Sequence, residues 1–198
     1  MNINKIAIAG AGGIGSNLLA ILFDYGFNRK QFDYASMEVD IWDDDVVDVK
    51  NLLHQNFKFD DIGKYKVDVL ADKYVVNGVK SRMDVKDFKK YDVIFSCVDN
   101  MPFRKSLYEY GWTKGQNKLF WIDGRCTSRQ GAVFNSDIAS DVLSQYISNS
   151  VEEGGCLLAF EKEQNISHTL PIIVAGMMVQ NFLNKTRGEQ SFKSIFMV

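Results

Sequence analysis

A short apolar strand that runs straight into a glycine loop and then a helix leaves few folds open to a chain. Residues 5–9 read as such a strand, and Gly10-Ala11-Gly12-Gly13-Ile14-Gly15-Ser16 follows it. Leu18, Leu19, Leu22 and Phe23 then recur on one face of a helix expected over residues 13–25. Gly10 and Gly12 permit a tight turn and close backbone approach, and Gly15 lets the helix pack near the strand. The unpaired N–H groups at the start of that helix, together with its dipole, favour an anion. A glycine turn with no ligand satisfies the same residues, so the loop alone assigns nothing.

Strand-like and helix-like segments alternate through the rest of the chain. Strands are expected over residues 39–42, 79–83, 91–97, 118–123 and 130–134, with an edge strand over 192–198. Helices are expected over residues 65–74, 102–112 and 172–183, the second opened by Pro102 in its first turn. This alternation predicts an α/β fold, a Rossmann-like, doubly wound and mainly parallel sheet with helices on both faces. With 198 residues the chain is expected to form a single domain over 1–198. Residues 148–164, with Gly154-Gly155 inside, are the least regular stretch and read as a crossover-type surface loop.

Composition narrows the function classes. A net charge of −2 provides no basic field, which argues against nucleic acid as a partner. No run is long enough to span a membrane and no cleavable signal precedes the first strand, so a cytoplasmic protein without membrane contact is expected. The 3 cysteines, Cys97, Cys126 and Cys156, form no C-x-x-C pair, and the chain has only 2 histidines, His54 and His168. A disulfide framework, a cysteine-rich zinc site and a multi-histidine metal centre are all disfavoured. Cys97 and Cys126 read as core residues, and His168 as a cap or surface residue.

The second strand ends at Asp43-Asp44-Asp45. An acid there commonly accepts hydrogen bonds from a ribose. Asp43 comes about thirty residues after the loop, later than the roughly twenty usual for a dinucleotide. That spacing, with no plausible hydride site, disfavours a nicotinamide oxidoreductase. Further on stand Asn51-Leu52-Leu53-His54-Gln55, then Gly63-Lys64-Tyr65-Lys66, then Asp99-Asn100-Met101-Pro102-Phe103-Arg104.

This ordered series resembles the ThiF/MoeB family, bacterial relatives of ubiquitin-activating enzymes. The family pattern is G-x-G-G-x-G, D-x-D, N-L-x-R-Q, G-x-x-K and D-N-x-x-x-R. Asp123-Gly124-Arg125 through Arg129-Gln130-Gly131 resembles the continuation of the family's sheet, and Cys156 its crossover-loop cysteine. The resemblance covers most of the chain and is closest to compact members from phage and mobile elements.

The resemblance implies binding of ATP with Mg²⁺ and adenylation of the C-terminal carboxylate of a small ubiquitin-like or sulfur-carrier protein, commonly ending Gly-Gly. Gly10, Gly12, Gly13, Gly15 and Ser16 would form the nucleotide loop. Asp43 and Asp45 would serve the ribose side, Asn51, Gln55 and Asn100 would line the nucleotide, and Lys66 would neutralise phosphate oxygens. Asp99 would hold Mg²⁺, a hard cation suited to carboxylate and phosphate oxygens. Arg104 is the motif residue with a structural alternative, forking onto a carboxylate or helix end. A homodimer is implied as well.

Two departures stand out. His54 occupies the place of the family's phosphate-contacting arginine and lacks the guanidinium fork. Three readings follow: His54 is a weaker phosphate ligand; Lys64, Arg125 or an arginine of a partner subunit substitutes; or nucleotide binds without turnover. The family's paired C-x-x-C zinc motifs are absent. Cys156 is either an acceptor of the activated acyl group, through a thioester or sulfur transfer, or a buried small hydrophobe. The alternatives to ubiquitin-like activation are a non-catalytic nucleotide-binding subunit of a heteromeric enzyme, and adenylation of a peptide or small-molecule carboxylate.

Overall fold

The structure is a computed structural model and describes residues 3–26, 37–113, 119–127, 129–137, 169–192 and 194–197. The first unit forms as its residues dictate: β1 (Lys5–Ala9) passes through the glycine loop into α1 (Gly13–Ile21), which continues as a π-turn over Leu22–Gly26. Then come β2 (Glu38–Trp42), 3₁₀ turns at Val49–Leu53 and Phe59–Asp61, α2 (Lys66–Lys73) and β3 (Asn77–Val79). The second half holds α3 (Val85–Phe88), β4 (Val93–Ser96), α4 (Met101–Thr113), β5 (Phe120–Cys126), β6 (Gln130–Asn135), α5 (Leu170–Thr186) and β7 (Ser194–Met197).

The strands make one 7-stranded sheet in the order β3-β2-β1-β4-β5-β6-β7. β3 to β5 are mutually parallel, while β6 and β7 join antiparallel, so the expected mainly parallel sheet is observed with a reversed edge. Both faces are covered. Alternate residues of β1 divide between them: Ile6 and Ile8 join the core under α1, α2 and α5, while Ala7 and Ala9 join the core under α3 and α4. β4 and β5 divide in the same way, with Phe95 and Ile122 on the first face and Ile94 and Trp121 on the second. Strands buried on two faces need continuous apolar sequence, which is why β1 and β4 were legible.

Differences from expectation lie at boundaries and short turns. β3 ends at Val79 rather than beginning there. Its carbonyl accepts from Asp43 N at 3.2 Å and Ser81 N at 2.8 Å, which turns the chain out of the sheet. The one-turn helix α3 was not anticipated; Asp84 and Asp87 cap it reciprocally, and Phe88 packs edge-on against Phe103 and Tyr110. No helix among the described residues is long and apolar enough to cross a membrane.

Candidate functional site

Strand order reverses between β1 and β4, and the crevice beyond their carboxyl ends is where an open parallel sheet receives a ligand. The glycine loop fills one side. Gly10 takes φ of 94°, and a side chain there would meet the Cys97 carbonyl at 2.9 Å, so the turn after β1 and the end of β4 touch. A Cβ on Gly12 would meet nothing within 4 Å, which leaves the mouth of the loop open. Among the described residues no side chain caps α1, which leaves its opening N–H groups available to an anion.

A chain of polar contacts braces this loop against the end of β2. Ala11 N donates to Asp43 Oδ2 at 2.6 Å, and Asp45 N donates to Asp43 Oδ1 at 2.9 Å. Burial raises the Asp43 carboxyl above its ordinary value, and those two N–H donors and Lys66 act against that rise. Each oxygen keeps a lone pair for a ribose hydroxyl. Asp45 accepts from Lys66 Nζ at 2.8 Å, and its carbonyl accepts from Lys66 N at 3.1 Å, anchoring the start of α2. The Lys66 side chain is 6% exposed, whereas Asp45 is 60% exposed, so the ammonium is presented through an open carboxylate.

The segment after β2 closes the loop from the other side. Asn51 is buried and forms a capping box, its Oδ1 accepting from Asp48 N at 2.8 Å, which leaves its amide hydrogens for donation. The His54 ring lies against the start of α1: a Cβ on Gly13 would meet His54 Cδ2 at 3.1 Å and Pro171 of α5 at 3.4 Å. α5 also begins without a side-chain cap among the described residues, and its Pro171 lies with His54 beside the start of α1. Gln55 Nε2 lies 3.5 Å from His54 Nε2, and Gln55 Oε1 is buried with no hydrogen-bond partner.

Some expected ligands have other duties. Ser16 is wholly buried, donates to the Gly12 carbonyl at 2.7 Å and accepts from Asn56 N at 3.0 Å. It thereby braces α1 against the segment around Asn56. Asn100 Oδ1 accepts from Phe103 N at 3.0 Å and caps α4, which leaves its amide hydrogens for donation. Arg125 pairs with Asp123 at 2.8 Å and reaches Tyr108 Oη at 2.6 Å, which removes it as a substitute for the missing arginine. Lys64 is exposed and 3.9 Å from Asp61. Arg104 resolves to its structural alternative: its guanidinium donates to the Val98 carbonyl, and to that of Gly124 at 3.4 Å. Cys156, His168 and the 148–164 loop lie outside the described residues.

Asp99 stands at the carboxyl end of β4, exposed, with no hydrogen bond or ion pair among the described residues. An open carboxylate at a phosphate-accepting crevice fits Mg²⁺. The carboxylates of Asp43, Asp44 and Asp45 also come within 4.8 Å of one another. Each of those is already compensated, Asp44 by Arg82 at 3.1 Å, and Asp99 is the better fit.

The sequence reading missed the buried cluster behind this crevice. Asp123 is wholly buried and accepts from Ser96 Oγ and Tyr108 Oη, both at 2.6 Å, between Arg104 and Arg125. Burial alone would raise its carboxyl, yet the two guanidinium groups and the hydroxyl donors hold it below the ordinary range. The signal was present: opposite charges two residues apart in an otherwise apolar strand cannot both be buried unless paired.

A family model described as the ThiF family matches residues 2–196. SUMO-activating enzyme subunit 2 of Dictyostelium discoideum is 32% identical over 116 residues, 52% of this chain and 16% of that protein. Among solved structures, PaaA superposes with TM-score 0.69 at 17% identity, covering 98% of this chain and 61% of PaaA. MccB of E. coli, solved with ATP, gives TM-score 0.66 at 16% identity, over 98% of this chain and 63% of MccB. The chain therefore spans less than two thirds of each of these proteins.

Proposed function

The chain belongs to the ThiF family, and from that premise we propose that it adenylates the C-terminal carboxylate of a small ubiquitin-like or sulfur-carrier protein, using ATP. The observation that carries the reading is the unpaired Asp99 carboxylate across from an uncapped glycine loop, with Lys66 beside that loop. The likeness to a SUMO-activating subunit supports a ubiquitin-like substrate. The likeness to MccB, solved with ATP and in another structure with AMPCPP and MccA, supports the second reading, a peptide or small-molecule carboxylate.

In this reading the N–H groups opening α1 and the Lys66 ammonium hold the phosphates, while Asp43 accepts from the ribose. Asn51 and Gln55 donate to phosphate oxygens after small side-chain adjustments. Asp99 would hold Mg²⁺, which when bound neutralises phosphate charge. A carboxylate oxygen attacks the α-phosphorus as the bond to the bridging oxygen of the β-phosphate breaks, giving an acyl adenylate and pyrophosphate. Positioning and charge neutralisation supply the acceleration. His54 contributes a weaker phosphate contact than arginine would, and Cys156 is the proposed acceptor in any later transfer. We assign this work to one domain over residues 1–198, acting as a homodimer in the cytoplasm.

Calorimetry of the purified chain with ATP and Mg²⁺, set against AMP and NAD, tests the reading. Mg²⁺-dependent ATP binding without NAD binding is the expected result. NAD binding alone overturns it, and no binding at all favours a non-catalytic subunit completed by another chain.

A further inference from the structure

We infer that Arg104 is a positioning residue for Asp99, and that the buried Asp123 cluster exists to hold Arg104 in line. The inference rests on the adenylation reading, in which Asp99 receives the metal. Asp99 is flanked by two immobilised neighbours. On one side, the Val98 carbonyl accepts from Arg104 Nη2. On the other, Asn100 is fixed as the cap of α4, and its carbonyl accepts from Arg104 N at 3.3 Å. Cys97 N donates to the Ala9 carbonyl at 2.8 Å, tying the same stretch to β1. The main chain under Asp99 is thus held from both directions, while its carboxylate stays open to solvent.

Arg104 is itself over-determined. Its side chain is 9% exposed, reaches the Gly124 carbonyl at 3.4 Å, and sets Nε 3.2 Å from Asp123 Oδ1. That last contact is an ion pair whose N–H does not aim at the oxygen, so the carboxylate acts as a counter-charge rather than an acceptor. Asp123 in turn is pinned by Ser96 of β4, Tyr108 of α4 and Arg125 of β5. A planar fork reaching two carbonyls and a carboxylate from one buried site is a task a lysine ammonium cannot reproduce. Where a single protein carboxylate receives a cation, its placement depends on the groups behind it.

The test compares wild type with Arg104→Lys, and with Tyr108→Phe, which loosens Asp123 without touching the loop. ATP affinity is measured by calorimetry with and without Mg²⁺, AMP affinity serves as the reference, and Mn²⁺ bound with ATP is read by electron paramagnetic resonance. Arg104→Lys is expected to lose about tenfold of the Mg²⁺-dependent gain in ATP affinity, and to weaken Mn²⁺ similarly, while AMP affinity stays within about threefold. Tyr108→Phe should show the same pattern at smaller size, and it decides the matter if Arg104→Lys does not fold. Equal losses for AMP and for ATP with Mg²⁺ would mean a merely structural role and overturn the inference. A full Mg²⁺-dependent gain in both variants would overturn it too. If wild-type ATP binding is itself indifferent to Mg²⁺, the adenylation reading fails first.

Discussion

Lys66 shows how one residue serves the fold and the site together. Its ammonium is buried against an open carboxylate, Asp45, and also offsets the charge of the more buried Asp43. Lys66→Ala should therefore cost about 1–3 kcal/mol of stability. It should weaken ATP by about tenfold or more, the worth of a charge-assisted contact, and AMP far less. Calorimetry of both nucleotides on the variant checks this, and equal losses would remove Lys66 from the β- and γ-phosphates. Motif spacing singled out Lys66, Asp43 and Asp99, and each stands at or just beyond the end of a regular element. The main-chain bonds of Ser16 and Asn100 were not legible, because a hydroxyl or amide beside a glycine loop bonds phosphate and main chain equally well and the sequence names neither partner.

At the scale of elements, helix termini decide most of what the crevice offers. Among the described residues α1 and α5 begin without a side-chain cap, whereas α4 begins under the Asn100 cap. Asn100→Ala should cost about 1 kcal/mol of stability, and Asn100→Asp should restore it, measured by urea unfolding. No change in the alanine variant would contradict the cap. Long apolar elements were legible from period alone, which is why β1, β4 and α5 were anticipated. The turn at α3 and the 3₁₀ segments were not, since reciprocal Asp caps such as Asp84 with Asp87 hold a single turn without any periodic pattern.

For the whole molecule, the Asp123 cluster couples the parallel half of the sheet to its reversed edge. β5 is the strand with a parallel neighbour on one side and an antiparallel one on the other, and the cluster sits on it. Because the Asp123 carboxyl is held below its ordinary range, its ionised form stabilises the fold above the unfolded value. That contribution is lost as pH falls through the lower folded value. Asp43, raised by burial, works in the opposite sense and subtracts. Asp123→Asn should cost about 3–5 kcal/mol at neutral pH, since two guanidinium groups lose their counter-charge. The gap to wild type should narrow as pH falls below about 4, where the unfolded chain's carboxyl takes up a proton, and close only below the lower folded value. Urea midpoints across pH for both chains measure it, and a constant gap would contradict the assignment.

The position of β1 bears on how the chain reaches this state. Among the described strands β1 comes first in chain order yet lies inside the sheet, beside β4, and Lys5 N donates to Asp92 across a separation of 87 residues. A ribosome therefore delivers this interior strand long before the flank that covers it. Closing so long a loop is slow beside forming a hairpin, and an apolar strand with a bare edge recruits other chains while it waits. Folding yield should depend on how quickly synthesis passes β4, and a nascent chain halted before that strand is the species most prone to aggregate.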